Sequence, residues 1–183
     1  AVGPQVATLA AMDAALDRMA EINEKFHAAR PSSPLFAFNE TQTPVTDDEI
    51  IRLIKTAMSV SEGSKGAFDI TVMPLIELWG FYGAEPHVPT KEKLQEALAR
   101  VGYQHLQIAV GRLTCDRPGV KVELGGIAKG YAVAEAVRVL REKGIKTALV
   151  DAGGDLYAMG KIDGELWKVG IKHPKGDGVI AGI

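Results

Sequence analysis

Cysteine is almost absent from this chain. Cys115 is the only one in 183 residues, so no internal disulfide can form, and that leaves the compartment open. It falls in the strand-like stretch Leu113-Thr114-Cys115, where a small strand residue is a simpler reading than a nucleophile. No run approaches the roughly 20 apolar residues that a membrane-spanning helix needs. Charge is nearly balanced at −2, which speaks against a nucleic-acid binder, because such proteins carry a basic face toward phosphates. The four histidines, His27, His87, His105 and His173, share no metal-ligand spacing. No Ser-His-Asp or Cys-His arrangement is present. The chain does not begin with Met and shows no signal peptide. The remaining composition, 46% hydrophobic and 24% charged, is that of a globular domain with a real core.

What is there reads in order. Leu9, Met12, Leu16, Met19 and Phe26 recur at helical spacing, which predicts an amphipathic helix over 5–27. Residues 28–44 are rich in Pro, Ser and Thr and read as a loop ending in Phe38-Asn39-Glu40. Thr46 to Glu49 has the pattern of a capping box, followed by Ile50, Leu53, Ile54, Ala57 and Val60 on one face of a second helix ending near Gly63. Pro74 opens a short helix through Leu78. Thr90 caps another, stopped by Gly102. Residues 106–115 alternate as a hairpin turning at Gly111-Arg112. Val120, Val122 and Leu124 alternate as a strand, and a helix follows from about Ile127 to Lys143. Strands are expected over 147–150, 156–159 and 167–171, with a turn at Asp163-Gly164. Helices first, then strands with one long helix inserted, predict an α+β fold with a mainly antiparallel sheet.

One segment carries the clearest chemical signal: Val122-Glu123-Leu124-Gly125-Gly126-Ile127-Ala128-Lys129-Gly130-Tyr131. A strand ends, two glycines allow a close turn, and a helix begins with a lysine in its first turn. Free N–H groups and the positive end of the helix dipole favour an anion there. The spacing is not that of a Walker A loop. A plain strand–turn–helix junction accounts for these residues equally well. Asp151-Ala152-Gly153-Gly154-Asp155 repeats the paired glycines after a strand, and a tight turn flanked by aspartates is the simpler reading. Asp69, in Gly66-Ala67-Phe68-Asp69-Ile70-Thr71, reads by default as the cap of the turn that follows it. The Trp79 to Tyr82 cluster could stack on an aromatic ligand, but such clusters are more often core.

Taken together, these segments resemble the ApbE-type FAD:protein FMN transferases. Ser64 through Phe81, Glu123 through Ala132, and Val150 through Leu156 are similar to three of that family's motifs, in order and with compatible gaps. Phe38-Asn39 is similar to a fourth. The resemblance spans residues 15 to 175 and implies an ApbE-like, T-fold-related domain over 1–183. It implies that Ala67, Phe68, Asp69, Glu123 and Lys129 bind FAD, and that the Gly126 backbone carbonyl is a ligand of Mg²⁺. It implies an enzyme that moves FMN from FAD to a Thr or Ser hydroxyl of a partner with release of AMP. The partners implied are flavoprotein subunits of membrane redox complexes. The compartment implied is the bacterial periplasm, with a lipid anchor at the inner membrane. Some members instead hydrolyse FAD to FMN and AMP. A flavin-binding module without catalysis and a purely structural domain are the other readings.

The sequence also departs from that pattern. The family's opening strand, with its Met-Gly-Thr-like element, is not in the chain, and Ala29 stands where many transferases carry a flavin-facing Tyr. The second half of the family, with the Asp and Thr that complete its metal site, is expected to lie outside these residues.

Overall fold

A computed structural model describes residue 1, residues 5–83 and residues 85–182; Val2, Gly3, Pro4, Ala84 and Ile183 lie outside the described residues. The chain divides into two compact units: Ala1–Met19 with Val133–Ile183, and Ala20–Ala132. The divisions fall inside two long helices, α1 (Gln5–Phe26) and α6 (Gly125–Glu142).

The 20–132 unit opens with the end of α1. Next comes a helix the sequence reading places in a loop, α2 (Pro34–Thr41). Ser33 is its N-cap, accepting from the Leu35 N–H at 3.2 Å, and Pro34 fills the first turn, where its missing N–H does no harm. The Pro- and Ser-rich composition that suggested a loop is thus a helix start. Phe38 and Leu35 are completely buried. Burial of each is worth about 2–3 kcal/mol, which outweighs the few tenths lost to Asn39 and Thr41 in a helix.

Helix α3 (Asp48–Gly63) follows. Its cap is Asp47 rather than the expected Thr46: Asp47 Oδ1 accepts from the N–H groups of Glu49 and Ile50, both at 3.0 Å. Glu49 is buried, and accepts from Lys25 Nζ (2.8 Å) and the Tyr131 hydroxyl (2.8 Å). The short helix α4 (Met73–Leu78) lies where the sequence puts it, and α5 (Lys91–Leu98) is capped by Thr90 as expected but ends at Leu98, before the expected stop at Gly102. A single 3₁₀ turn, Tyr103–His105, leads into the hairpin β1 (Leu106–Ala109) and β2 (Arg112–Cys115). Ala109 pairs with Arg112, so the turn is Val110-Gly111, one residue earlier than expected. Leu35, Phe38, Val45, Ile50, Ile54, Ile70, Leu113, Val120, Val122 and Leu124 form the inside of this unit.

In the other unit, Ala11 and Ala15 of α1 pack with Ala136, Val137 and Leu140 of α6 and with Ile145, Ala148 and Met159. Gly144, with φ of 79°, ends α6, and the Ile145 N–H returns to the Leu140 carbonyl at 2.9 Å. The hairpin β3 (Ala148–Ala152) and β4 (Asp155–Met159) follows. Then come β5 (Gly170–Lys172) and β6 (Val179–Gly182), paired antiparallel. The expected strand over 167–171 is shorter and starts later, and Trp167 instead donates its indole N–H to the Met159 carbonyl at 3.0 Å. Every strand pairing among the described residues is antiparallel, in separate two-stranded ribbons, so the fold is α+β. No helix among the described residues is long and apolar enough to cross a membrane.

Candidate functional site

The candidate site is assembled around residues 120–125. Val120, Val122 and Leu124 are fully buried and alternate with Lys121 and Glu123, as a strand would. Yet the segment is not part of a described sheet, because side chains and one loop carbonyl take the place of a neighbouring strand. Asn39 Oδ1 accepts from the Val122 N–H at 2.7 Å, and Asn39 Nδ2 donates to the Val122 carbonyl at 2.9 Å. Gln42 Nε2 donates to the Val120 carbonyl at 3.0 Å. The Glu123 N–H donates to the Ile70 carbonyl at 2.7 Å. An amide side chain offers one donor and one acceptor, so a single Asn satisfies both polar groups of a buried residue.

Helix α6 then starts at Gly125, two residues before the expected Ile127. The Leu124 carbonyl accepts from both Ile127 and Ala128. Glu123 folds its own carboxylate over the helix start, and Oε1 accepts from the Gly125 N–H at 2.7 Å. A negative group at this end is favoured by the helix dipole. The two glycines make room for two neighbours. A Cβ on Gly125 would lie 2.8 Å from Glu123 Oε1, and one on Gly126 would lie 3.1 Å from the Phe68 ring. Gly125, Gly126, Lys129 and Gly130 remain exposed, so this helix start is open to solvent.

The structure therefore brings Phe68, Glu123 and Gly126 together. Tyr82 joins them: burial raises its phenol above the usual range, and the Glu123 carboxylate raises it further. Ala67 and Phe68 sit in the turn after α3, with the Phe68 N–H donating to Ser64 Oγ at 3.1 Å. Asp69 caps the turn that follows it, as expected. Its Oδ1 accepts from Thr71 N–H (2.8 Å) and Thr71 Oγ1 (2.6 Å), and its Oδ2 accepts from the Tyr103 N–H at 2.9 Å. Lys129 is not in the first turn of α6 as expected. With the helix starting at Gly125 it is the fifth residue, about 6 Å along the axis, though side chains lean back toward the N-terminus.

Gly126 is helical, so its carbonyl is aimed along α6 toward the following turn. Mg²⁺ demands near-octahedral oxygen coordination. Among the described residues no three His, Cys, Asp or Glu side chains gather to hold a metal. These residues do not make a Mg²⁺ site on their own.

The Asp151 to Asp155 motif lies in the other unit, as the turn between β3 and β4. Asp151 Oδ1 closes it by accepting from the Gly154 N–H at 2.7 Å, and Gly153 and Gly154 have φ of 66° and 99°. Sequence reasoning gave no role to Gln42 or Thr71, met Asn39 only as part of a family-like motif, and weighed Tyr82 only within the Trp79 to Tyr82 cluster. Asn39 and Gln42 had a further signal in the Ser33-Pro34 helix start, which puts both near one helix end. Thr71 had none.

The model of the ApbE family matches residues 2–183. A FAD:protein FMN transferase of Vibrio cholerae is 32% identical over 182 residues, covering 95% of this chain and 54% of the relative. One of Salmonella typhimurium is 35% identical over 153 residues, covering 78% and 43%. The crystal structure of an ApbE protein from Thermotoga maritima is similar with a TM-score of 0.90 and 36% identity, over 100% of this chain and 60% of that one. The flavin transferase ApbE from Vibrio cholerae is similar with a TM-score of 0.82 and 31% identity, over 94% and 57%. The chain spans about half the length of the curated relatives it matches.

Proposed function

The chain belongs to the ApbE family, and on that premise we propose that the protein carrying it is an FAD:protein FMN transferase. The observation that carries the proposal is the open start of α6, where Gly126 lies against Phe68 and Glu123 caps Gly125. In this reading Ala67, Phe68, Glu123 and Lys129 line the FAD site together with the backbone of Asp69. Gly125 and Gly126 let the backbone approach the ligand, and Lys129 places a positive charge on its diphosphate. The hydroxyl of a Thr or Ser on the acceptor attacks the phosphorus nearest riboflavin. A new O–P bond forms, the diphosphate P–O bond breaks, AMP leaves, and the hydroxyl proton passes to a base outside this chain. Such transfers depend on positioning and charge neutralisation more than on covalent help from the protein.

Mg²⁺ belongs to the proposal as a cofactor, with the remaining lone pair of the helical Gly126 carbonyl as one oxygen donor and the other ligands supplied by residues beyond these. The acceptors proposed are flavoprotein subunits of membrane redox complexes. The location proposed is the periplasmic face of a bacterial inner membrane, held by a lipid anchor.

The test mixes the full-length protein with FAD, Mg²⁺ and an acceptor domain, and follows flavin fluorescence on a denaturing gel. Wild type labels the acceptor, chelation of Mg²⁺ stops labelling, and Lys129→Ala slows it by about 100-fold, the usual loss of one charge-stabilising group. Labelling by Lys129→Ala at the wild-type rate removes Lys129 from the site. No labelling and no AMP release from wild type rejects the transferase reading.

A further inference from the structure

Asp69 presents a difficulty for any reading in which its side chain faces FAD. A carboxylate aimed at a diphosphate repels it. The structure resolves this by engaging both carboxylate oxygens inside the protein. An ionised carboxylate has about four acceptor positions, and three are filled here: two on Oδ1 by Thr71, one on Oδ2 by the Tyr103 N–H. Thr71 is completely buried, and its hydroxyl does double duty: it donates to Asp69 and accepts from the Gly102 N–H at 2.7 Å. Two side chains thereby bind the loop at 67–71 to the turn at Gly102-Tyr103, more than 30 positions along the chain.

The loop so held presents two of the site's features. Phe68 immediately precedes Asp69 and lies on Gly126. Ile70 immediately follows it, and its carbonyl receives the Glu123 N–H at 2.7 Å. We infer that Asp69 is a positioning residue: its carboxylate, together with Thr71, clamps this loop onto the Gly102-Tyr103 turn and so fixes both Phe68 and Glu123, and the carboxylate itself does not touch FAD. This rests on the reading of the α6 start as the FAD site, but the clamp has its own observable.

That observable is amide hydrogen exchange in the full-length protein without ligand. Asp69→Asn keeps the shape but leaves one oxygen to accept where two did. The amides of Tyr103 and Glu123 are expected to exchange at least about tenfold faster in this variant. Unchanged protection at both sinks the clamp, whatever FAD does. The second measurement is FAD affinity by fluorescence titration. Thr71→Val removes the hydroxyl from a buried position that the inference keeps off the ligand. It should weaken FAD by about tenfold, as Asp69→Asn does, since one buried hydrogen bond is broken in each. The double variant should be no worse than the weaker single, and Thr71→Ser should restore wild-type affinity. A direct FAD contact by Asp69 gives the opposite pattern: Asp69→Asn binds poorly, Thr71→Val binds normally, and the Tyr103 amide stays protected. Wild type that fails to bind FAD rejects the proposed function and leaves the exchange result to decide the clamp.

Discussion

Val110 is the residue whose identity fits its backbone least well. It occupies the first position of a two-residue hairpin turn with φ of 49°, followed by Gly111 at 69°. Two positive φ values in succession suit Asn-Gly, and they crowd the β-branched side chain of valine. That side chain is 99% exposed, so it gains nothing from packing in return. Val110→Asn should therefore raise stability by about 1 kcal/mol, seen as a rise in melting temperature of about 2–4 °C. A fall would mean that Val110 packs against something not seen in this chain. Gly125 and Gly126 fit their places for a different reason, since a side chain on either would meet Glu123 or Phe68.

At the scale of elements, α2 serves as a stand-in for a strand. Asn39 and Gln42, near its end, supply the hydrogen bonds that the buried 120–124 segment would otherwise take from a neighbour. Asn39→Ala leaves the Val122 N–H and carbonyl buried without partners and should destabilise by about 2–4 kcal/mol, measured by urea unfolding. Asn39→Asp separates the two bonds: the oxygen facing the Val122 N–H is kept, while the other oxygen confronts a carbonyl, so it should be no better than alanine. A loss under 1 kcal/mol in both would show that the segment holds itself. This arrangement explains what the sequence could and could not tell. The alternation of Val120, Val122 and Leu124 reports burial faithfully, but not what pairs with the segment, because the partner lies some 80 positions earlier in a helix. The start of α6 was legible in outline from Glu123, the glycine pair and Lys129, all within seven residues. Its exact first turn depends on Glu123 folding back on Gly125, which spacing does not reveal. The Asp69–Thr71 clamp was illegible because both backbone partners are more than 30 positions away.

At the scale of the whole molecule, the α+β class was visible in the order of elements. The three separate ribbons and the division at Met19 and Ala132 were not. Each unit contains a carboxylate held below its ordinary range. For Asp47, burial opposes ionisation, but the Ile50 N–H and the Lys25 ammonium together outweigh it. For Glu135, burial again opposes, and Arg138 and Arg18 outweigh it, the latter at 3.1 Å. A carboxyl that ionises more readily in the folded chain binds fewer protons there than in the unfolded chain. Its contribution is complete above the unfolded values, 3.8 and 4.5, and is lost as pH falls through the lower folded ones. Both groups are partly exposed, so each contributes only about 0.5–1 kcal/mol at neutral pH. Asp47→Asn keeps the α3 cap, since Asn caps as well as Asp, and removes only the charge. Glu135→Gln does the same beside the two arginines. The double variant should be about 1–2 kcal/mol less stable than wild type at pH 7, and the two unfolding curves should converge as the pH is lowered below 3.8. Parallel curves across that range would show that neither carboxylate titrates differently on folding.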